Sequence, residues 1–145
     1  NAFPEAKIIH IDRNPMAVCW SNYKTSFVDS GLDFSLSQED TAKYFILYND
    51  LMKFWFKKFN NRIININYED FVQDFELQTK NILLKFNLDW EDELRNYEKT
   101  HRVVKTASFN QVRDKIKKNT SKQWEKYSDY LKPMQNILKN NQIKF

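Results

Sequence analysis

The chain has 145 residues, 41% of them hydrophobic and 16% aromatic, which is enough apolar material for a packed domain and excludes a disordered tail. Its 23 lysines and arginines stand against 19 acidic residues, a formal charge of +4 that suits an anionic ligand without requiring one. The single cysteine, Cys19, excludes an intrachain disulfide and a cysteine-built zinc site, and the charges within Tyr44 to Phe59 exclude a span of about 20 apolar residues.

The sequence opens on Asn1 and reaches its first apolar run within a few residues, so it reads as a fragment from which an upstream stretch is missing. Lys7 to Asp12 is a short β-branched run that predicts a strand. Arg13-Asn14-Pro15 follows, where Asn14 can cap a helix and Pro15 can occupy its first turn. That helix is expected from about Pro15 to Phe27, and Asp29 to Ser37, holding the only glycine at Gly31, reads as a loop.

From Gln38 to Phe59 the residues Tyr44, Tyr48, Leu51, Trp55 and Phe59 recur at intervals of three and four, joined by Phe45 and Met52. This predicts a long amphipathic helix. Arg62 to Tyr68 alternates Ile64, Ile66 and Tyr68 with polar residues, as a second strand does. Helical spacing returns over Phe71 to Phe86, and Trp90 to Lys99 predicts a shorter helix. His101 to Asn119 is basic, polar and without period, a long loop of the kind that is often functional.

Thr120 or Ser121 can cap a helix through Trp124, Tyr127 and Leu131, and Pro133 breaks it and starts a last helix. The predicted order is β-α-α-β-α-α, a loop, then α. It implies parallel strands in a layered α/β fold whose other strands lie outside the chain.

The informative stretch is Lys7-Ile-Ile-His-Ile-Asp-Arg13-Asn-Pro15, with Ser21 eight residues after the arginine. Ligands of open α/β sheets sit outside the carboxyl ends of the strands. A planar guanidinium there can grip a phosphate with two hydrogen bonds, and a helix hydroxyl supplies one more. The residues alone equally allow Arg13 to pair with Asp12, Glu69 or Asp70, and Ser21 to bond back to a carbonyl. His10, inside the first strand and without a partner motif, reads as a packed or sheet-edge residue rather than a base. A rival reading makes the interleaved aromatic residues and lysines a binding module for single-stranded nucleic acid, with exposed rings beside the basic loop.

The stretch around Arg13 and Ser21 resembles the 3'-phosphate-binding motif of sulfotransferases that use 3'-phosphoadenosine 5'-phosphosulfate (PAPS). That motif has an Arg, then Asn-Pro or Asp-Pro, and a Ser eight positions after the Arg. Ile64 to Phe71 is similar to the family's strand ending in Tyr-Glu-Asp-Leu, which makes Tyr68 a nucleotide contact. Val103 to Arg113 is similar to the loop that closes over the nucleotide in tyrosyl-protein sulfotransferases and bacterial relatives, with Ser108 as the matching polar residue.

Lys117-Lys-Asn-Thr-Ser-Lys-Gln-Trp124 resembles the family's basic stretch before a tryptophan. The cytosolic branch has Arg-Lys-Gly at Lys117, Lys118 and Asn119, whereas the tyrosyl-protein branch points instead to Lys122. The latter branch also has a basic residue four positions after the motif serine, where this chain has Thr25.

The resemblance implies that residues 1–145 are the C-terminal part of a single domain with the P-loop-NTPase-like three-layer sulfotransferase fold. It implies a binding region for the 3'-phosphoadenosine part of PAPS, or for adenosine 3',5'-bisphosphate. Arg13, Ser21, Tyr68, Ser108, Lys117, Lys118 and Lys122 are its candidate contacts. The reaction it implies is in-line sulfuryl transfer to a hydroxyl of a protein, carbohydrate or small molecule. The family's Gly-rich phosphosulfate loop and general base are expected upstream, so no catalytic residue is assigned here and the chain alone is expected to be inactive. Nucleic acid and membrane are not expected partners, and an open sheet edge allows association.

Overall fold

A computed structural model describes residues 3, 5–25, 27, 31–59, 61–99 and 116–145. The chain divides into two compact units, one of residues 1–67 with 119–145 and one of residues 68–118.

The first unit is built on two parallel strands, β1 (Ile8–Asp12) and β2 (Ile63–Asn67), with Ile8 level with Ile63 and Asp12 level with Asn67. Parallel pairing requires a crossover. Helices α1 (Pro15–Lys24) and α2 (Gln38–Phe59) supply it. In β2 the buried residues are Ile63 and Ile66. An odd separation places them on opposite faces of the strand, so both faces are covered at those points. β1 differs: Ile8, Ile9 and Ile11 are 48%, 46% and 58% exposed.

α1 starts as expected. The Asn14 side chain accepts from the Ala17 amide at 3.0 Å and Pro15 occupies the first turn, satisfying a donor that the helix cannot. It stops at Lys24, short of Phe27, because Thr25 adopts extended backbone and its hydroxyl bonds back to the Ser21 carbonyl at 2.7 Å. In the predicted loop, Asp33–Leu36 forms a 3₁₀ turn. Its Phe34 carbonyl and the Ser37 carbonyl accept from the buried Thr41 hydroxyl, while Ser37 caps α2 at the Asp40 amide.

α2 has the predicted bounds, with Glu39 and Asp40 in its first turn and Lys57 and Lys58 in its last. That charge order complements the helix dipole. The final elements are a 3₁₀ segment, Thr120–Leu131, where an α-helix was expected, and α5 (Lys132–Asn140). Met16, Cys19, Ala42, Phe45, Leu131, Met134 and Leu138 form the core between α1, α2, the 3₁₀ segment and α5.

In the second unit, α3 (Tyr68–Gln73) and α4 (Phe75–Phe86) stand in place of the single helix predicted from Phe71. The interruption is Asp74, whose carboxylate leaves the helical conformation to cap α4 at the Leu77 amide, 3.1 Å away. α4 ends on Asn87 in left-handed backbone, φ 56, with the Leu88 amide returning to the Leu83 carbonyl at 3.0 Å. This is a Schellman-type stop. Asp92–Lys99 is 3₁₀ rather than α-helix. Among the described residues, no helix is long and apolar enough to cross a membrane.

Candidate functional site

Arg13 leaves the carboxyl end of β1 and is half-buried. Its Nε donates to the Ser121 hydroxyl at 3.1 Å, and its Nη2 reaches the Thr120 hydroxyl at 3.4 Å. Thr120 and Ser121 are expected to cap a helix, but the cap position of the 3₁₀ segment is Asn119, and the two hydroxyls meet Arg13. A caps-only reading of a Thr-Ser pair cannot detect a partner that lies more than a hundred positions away.

A hydroxyl oxygen that accepts from a guanidinium still carries its own proton for donation. The pair therefore holds the Arg13 side chain without adding negative charge. Ser121 is only 7% exposed, so its bond is shielded from competing water and correspondingly more directional. Lys122 follows immediately and is exposed, with its amide donating to the Asn119 carbonyl at 3.2 Å.

Asn119 itself sits in left-handed backbone, φ 62. That conformation favours glycine and is tolerated by asparagine. It occupies the position at which the resemblance to the cytosolic sulfotransferase branch placed a glycine.

Ser21 lies in α1, half-buried. Seven residues are close to two full turns, so Ser21 shares the helix face of the cap Asn14, about 10 Å along the axis. Thr25, where the tyrosyl-protein branch has a basic residue, is used to terminate α1. A hydroxyl that bonds back to the preceding turn does what a long cationic side chain does not.

Tyr68, Lys117 and Lys118 belong to the second unit. Tyr68 is half-buried and opens α3 directly after β2, while Lys117 and Lys118 are exposed. Lys118 lines a cleft of about 510 Å³ with Phe75, Arg95 and Tyr97, and the Tyr97 hydroxyl accepts from the Ile116 amide at 2.7 Å. Ser108, with the neighbouring Gln111, Val112 and Arg113, lies outside the described residues.

His10 has both ring nitrogens engaged, Nδ1 with the Asn65 side chain at 2.6 Å and Nε2 with the Tyr48 hydroxyl. Its ring also meets the edge of Phe56 at 5.3 Å. Burial raises the Tyr48 phenol above its ordinary value, and the nearby Asp12 charge adds to the effect. These bonds clamp β1 to β2 and to α2 three residues before Arg13. The four tryptophans, Trp20, Trp55, Trp90 and Trp124, are all half-buried. Trp20 packs on Tyr127 at 4.9 Å, joining α1 to the same 3₁₀ segment that holds Arg13. Among the described residues, no group of three or more His, Cys, Asp or Glu could hold a metal ion.

Residues 1–92, more than half of the chain, match the sequence pattern described as the sulfotransferase family. A protein of Aquifex aeolicus (strain VF5), described only as uncharacterized, is 33% identical over 138 residues, which is 94% of this chain. The chain spans only 18% of that relative's length.

Proposed function

The chain belongs to the sulfotransferase family, and on that premise we propose that it binds the 3'-phosphoadenosine part of PAPS. The region would serve sulfuryl transfer to an acceptor hydroxyl, with Arg13 as the principal contact of the 3'-phosphate. One observation carries this reading: the Arg13 guanidinium, at the carboxyl end of a parallel strand, is held by the hydroxyls of Thr120 and Ser121. Two stretches that separately resemble phosphate-binding parts of the family thus meet at one cation.

A phosphate monoester carries close to two negative charges near neutrality. A fixed guanidinium meets it with paired, charge-assisted hydrogen bonds. Ser21 would add a hydroxyl donor from α1, and Lys122 a second cation beside Ser121. Tyr68 and Ser108 are assigned by the same reading to the nucleotide, and Lys117 and Lys118, like Lys122, to the 3'-phosphate. The nucleotide would supply the activated sulfuryl group, while the residues of this chain bind and orient its adenosine end.

The same reading extends the β1–β2 pair into a wider parallel sheet with helices on both faces, the three-layer sulfotransferase architecture. The exposed Ile8, Ile9 and Ile11 support it, since β-branched apolar runs of this kind belong to strands covered on both faces.

Calorimetric titration of the protein with adenosine 3',5'-bisphosphate tests the assignment. Arg13→Ala should weaken binding by about 1.5 to 3 kcal/mol, the range for hydrogen bonds to charged groups. Unchanged affinity in that variant would falsify it.

A further inference from the structure

α2 carries two apolar stripes, and only one of them is used. Thr41, Ala42 and Phe45 face the core. Tyr44, Leu47, Leu51 and Phe54 face outward and are 51%, 67%, 51% and 52% exposed. Their spacing of three, four and three is that of a coiled-coil seam, which keeps one narrow stripe facing a partner helix. Tyr44 and Leu51 fit the helix's amphipathic spacing but are not among its buried residues, so the outer stripe has a separate explanation.

Charge along the helix says what that partner is. The exposed acidic residues Glu39 and Asp40 stand at one end and the exposed Lys53, Lys57 and Lys58 toward the other. A parallel copy would set lysines against lysines. An antiparallel copy sets the acidic end of each helix against the basic end of the other, and its dipole runs in the favourable sense. In the register that places Tyr44 against Phe54 and Leu47 against Leu51 of the second copy, Asp40 comes level with Lys58. Such an interface is self-complementary, as a two-fold axis demands.

We propose that the Tyr44–Leu47–Leu51–Phe54 stripe of α2 is a self-association surface on which a second copy of this chain packs antiparallel. The inference is independent of the nucleotide site. At the ends of the stripe the rings are already backed: Phe34 stacks on Tyr44 at 3.9 Å, and the Lys58 ammonium lies 5.6 Å from the Phe54 ring. They are therefore preorganised for contact, which lowers the cost of ordering side chains on association.

Sedimentation equilibrium of the chain tests this, with circular dichroism to verify that each variant is folded. The wild type should show a concentration-dependent dimer, and Leu51→Glu should weaken it at least tenfold by burying two carboxylates in an apolar seam. Asp40→Lys and Lys58→Glu should each weaken it about threefold, since each breaks two exposed ion pairs, and the double variant should restore it. Three results would overturn the proposal: a chain that stays monomeric up to about 1 mM, a double reversal no better than the single variants, or a dimer abolished by Ile9→Lys on β1 but indifferent to Leu51→Glu. The last would place the contact at the open strand instead.

Discussion

The Ser121 hydroxyl accepts from Arg13 Nε at 3.1 Å across 108 positions of sequence, and with it the end of β1 is tied to the start of the C-terminal 3₁₀ segment. A side chain fixed in this way binds an anion with less loss of rotamer freedom than a free arginine.

Ser121→Ala should therefore weaken adenosine 3',5'-bisphosphate binding by about 0.5 to 1.5 kcal/mol, less than Arg13→Ala. Because Ser121 is taken to act through Arg13, the two losses should not add in the double variant. Calorimetry on the two single variants and the double variant checks this. Full additivity would mean that Ser121 does not act by positioning Arg13.

Met134 and Leu138 are fully buried at the junction of α5, α1 and α2. Met134→Ala should lower unfolding free energy by about 2 to 5 kcal/mol, since a core truncation loses both transfer energy and contacts around the remaining cavity. Leu47→Ala, on the outer face of α2, should change it by about 0.5 kcal/mol or less. Urea titration of both variants at a concentration where the chain is monomeric separates the two cases. Equal losses would contradict the assignment of core and surface.

The Glu76 carboxylate is held down to about 2, first by its hydrogen bond from Arg95 and then by that from Lys80. A depressed acid stabilises the fold fully above its unfolded value of 4.5 and loses that contribution as pH falls toward 2. The contact is exposed and screened by salt. Carboxyl titration by NMR should find Glu76 ionised throughout pH 3 to 5 at low ionic strength, and Arg95→Ala should return it toward 4.5. A Glu76 that titrates like its neighbours in the wild type would refute the ion-pair network.

Burial pushes the Cys19 thiol up to about 12, against a weaker opposing pull from a backbone hydrogen bond. The thiolate is the reactive form. Thiol reagents at neutral pH should modify Cys19 only as fast as the fold opens, and at the rate of a free thiol in denaturant. Rapid modification of the folded chain would contradict its placement in the core.

Local rules found much of the architecture. The Asn14-Pro15 start of α1, both bounds of α2, the two strands and the restart at Pro133 were all legible. Each depends on neighbours within a turn or on one period. Failures occurred where a side chain chose a different partner from the one its position suggests. Asp74 broke a periodic helix by capping the next one. Thr25 ended α1 early, and the hydroxyls of Thr120 and Ser121, expected at a helix cap, meet Arg13. The outward stripe on α2 was hidden because Tyr44 and Leu51 count toward the core pattern until their exposure is known.

What the amino-acid order determined by itself was the two strands and their parallel sense, the start of α1 and the bounds of α2, and an arginine at a strand end with a serine eight residues on. Propensity, capping and periodicity act over short range, and the chain carries them wherever it goes. Which hydroxyls hold that arginine, and which face of α2 is left outward, were decided only when segments remote in sequence packed together. Those choices depend on the distance between side chains on different elements, and no spacing along the chain encodes that distance.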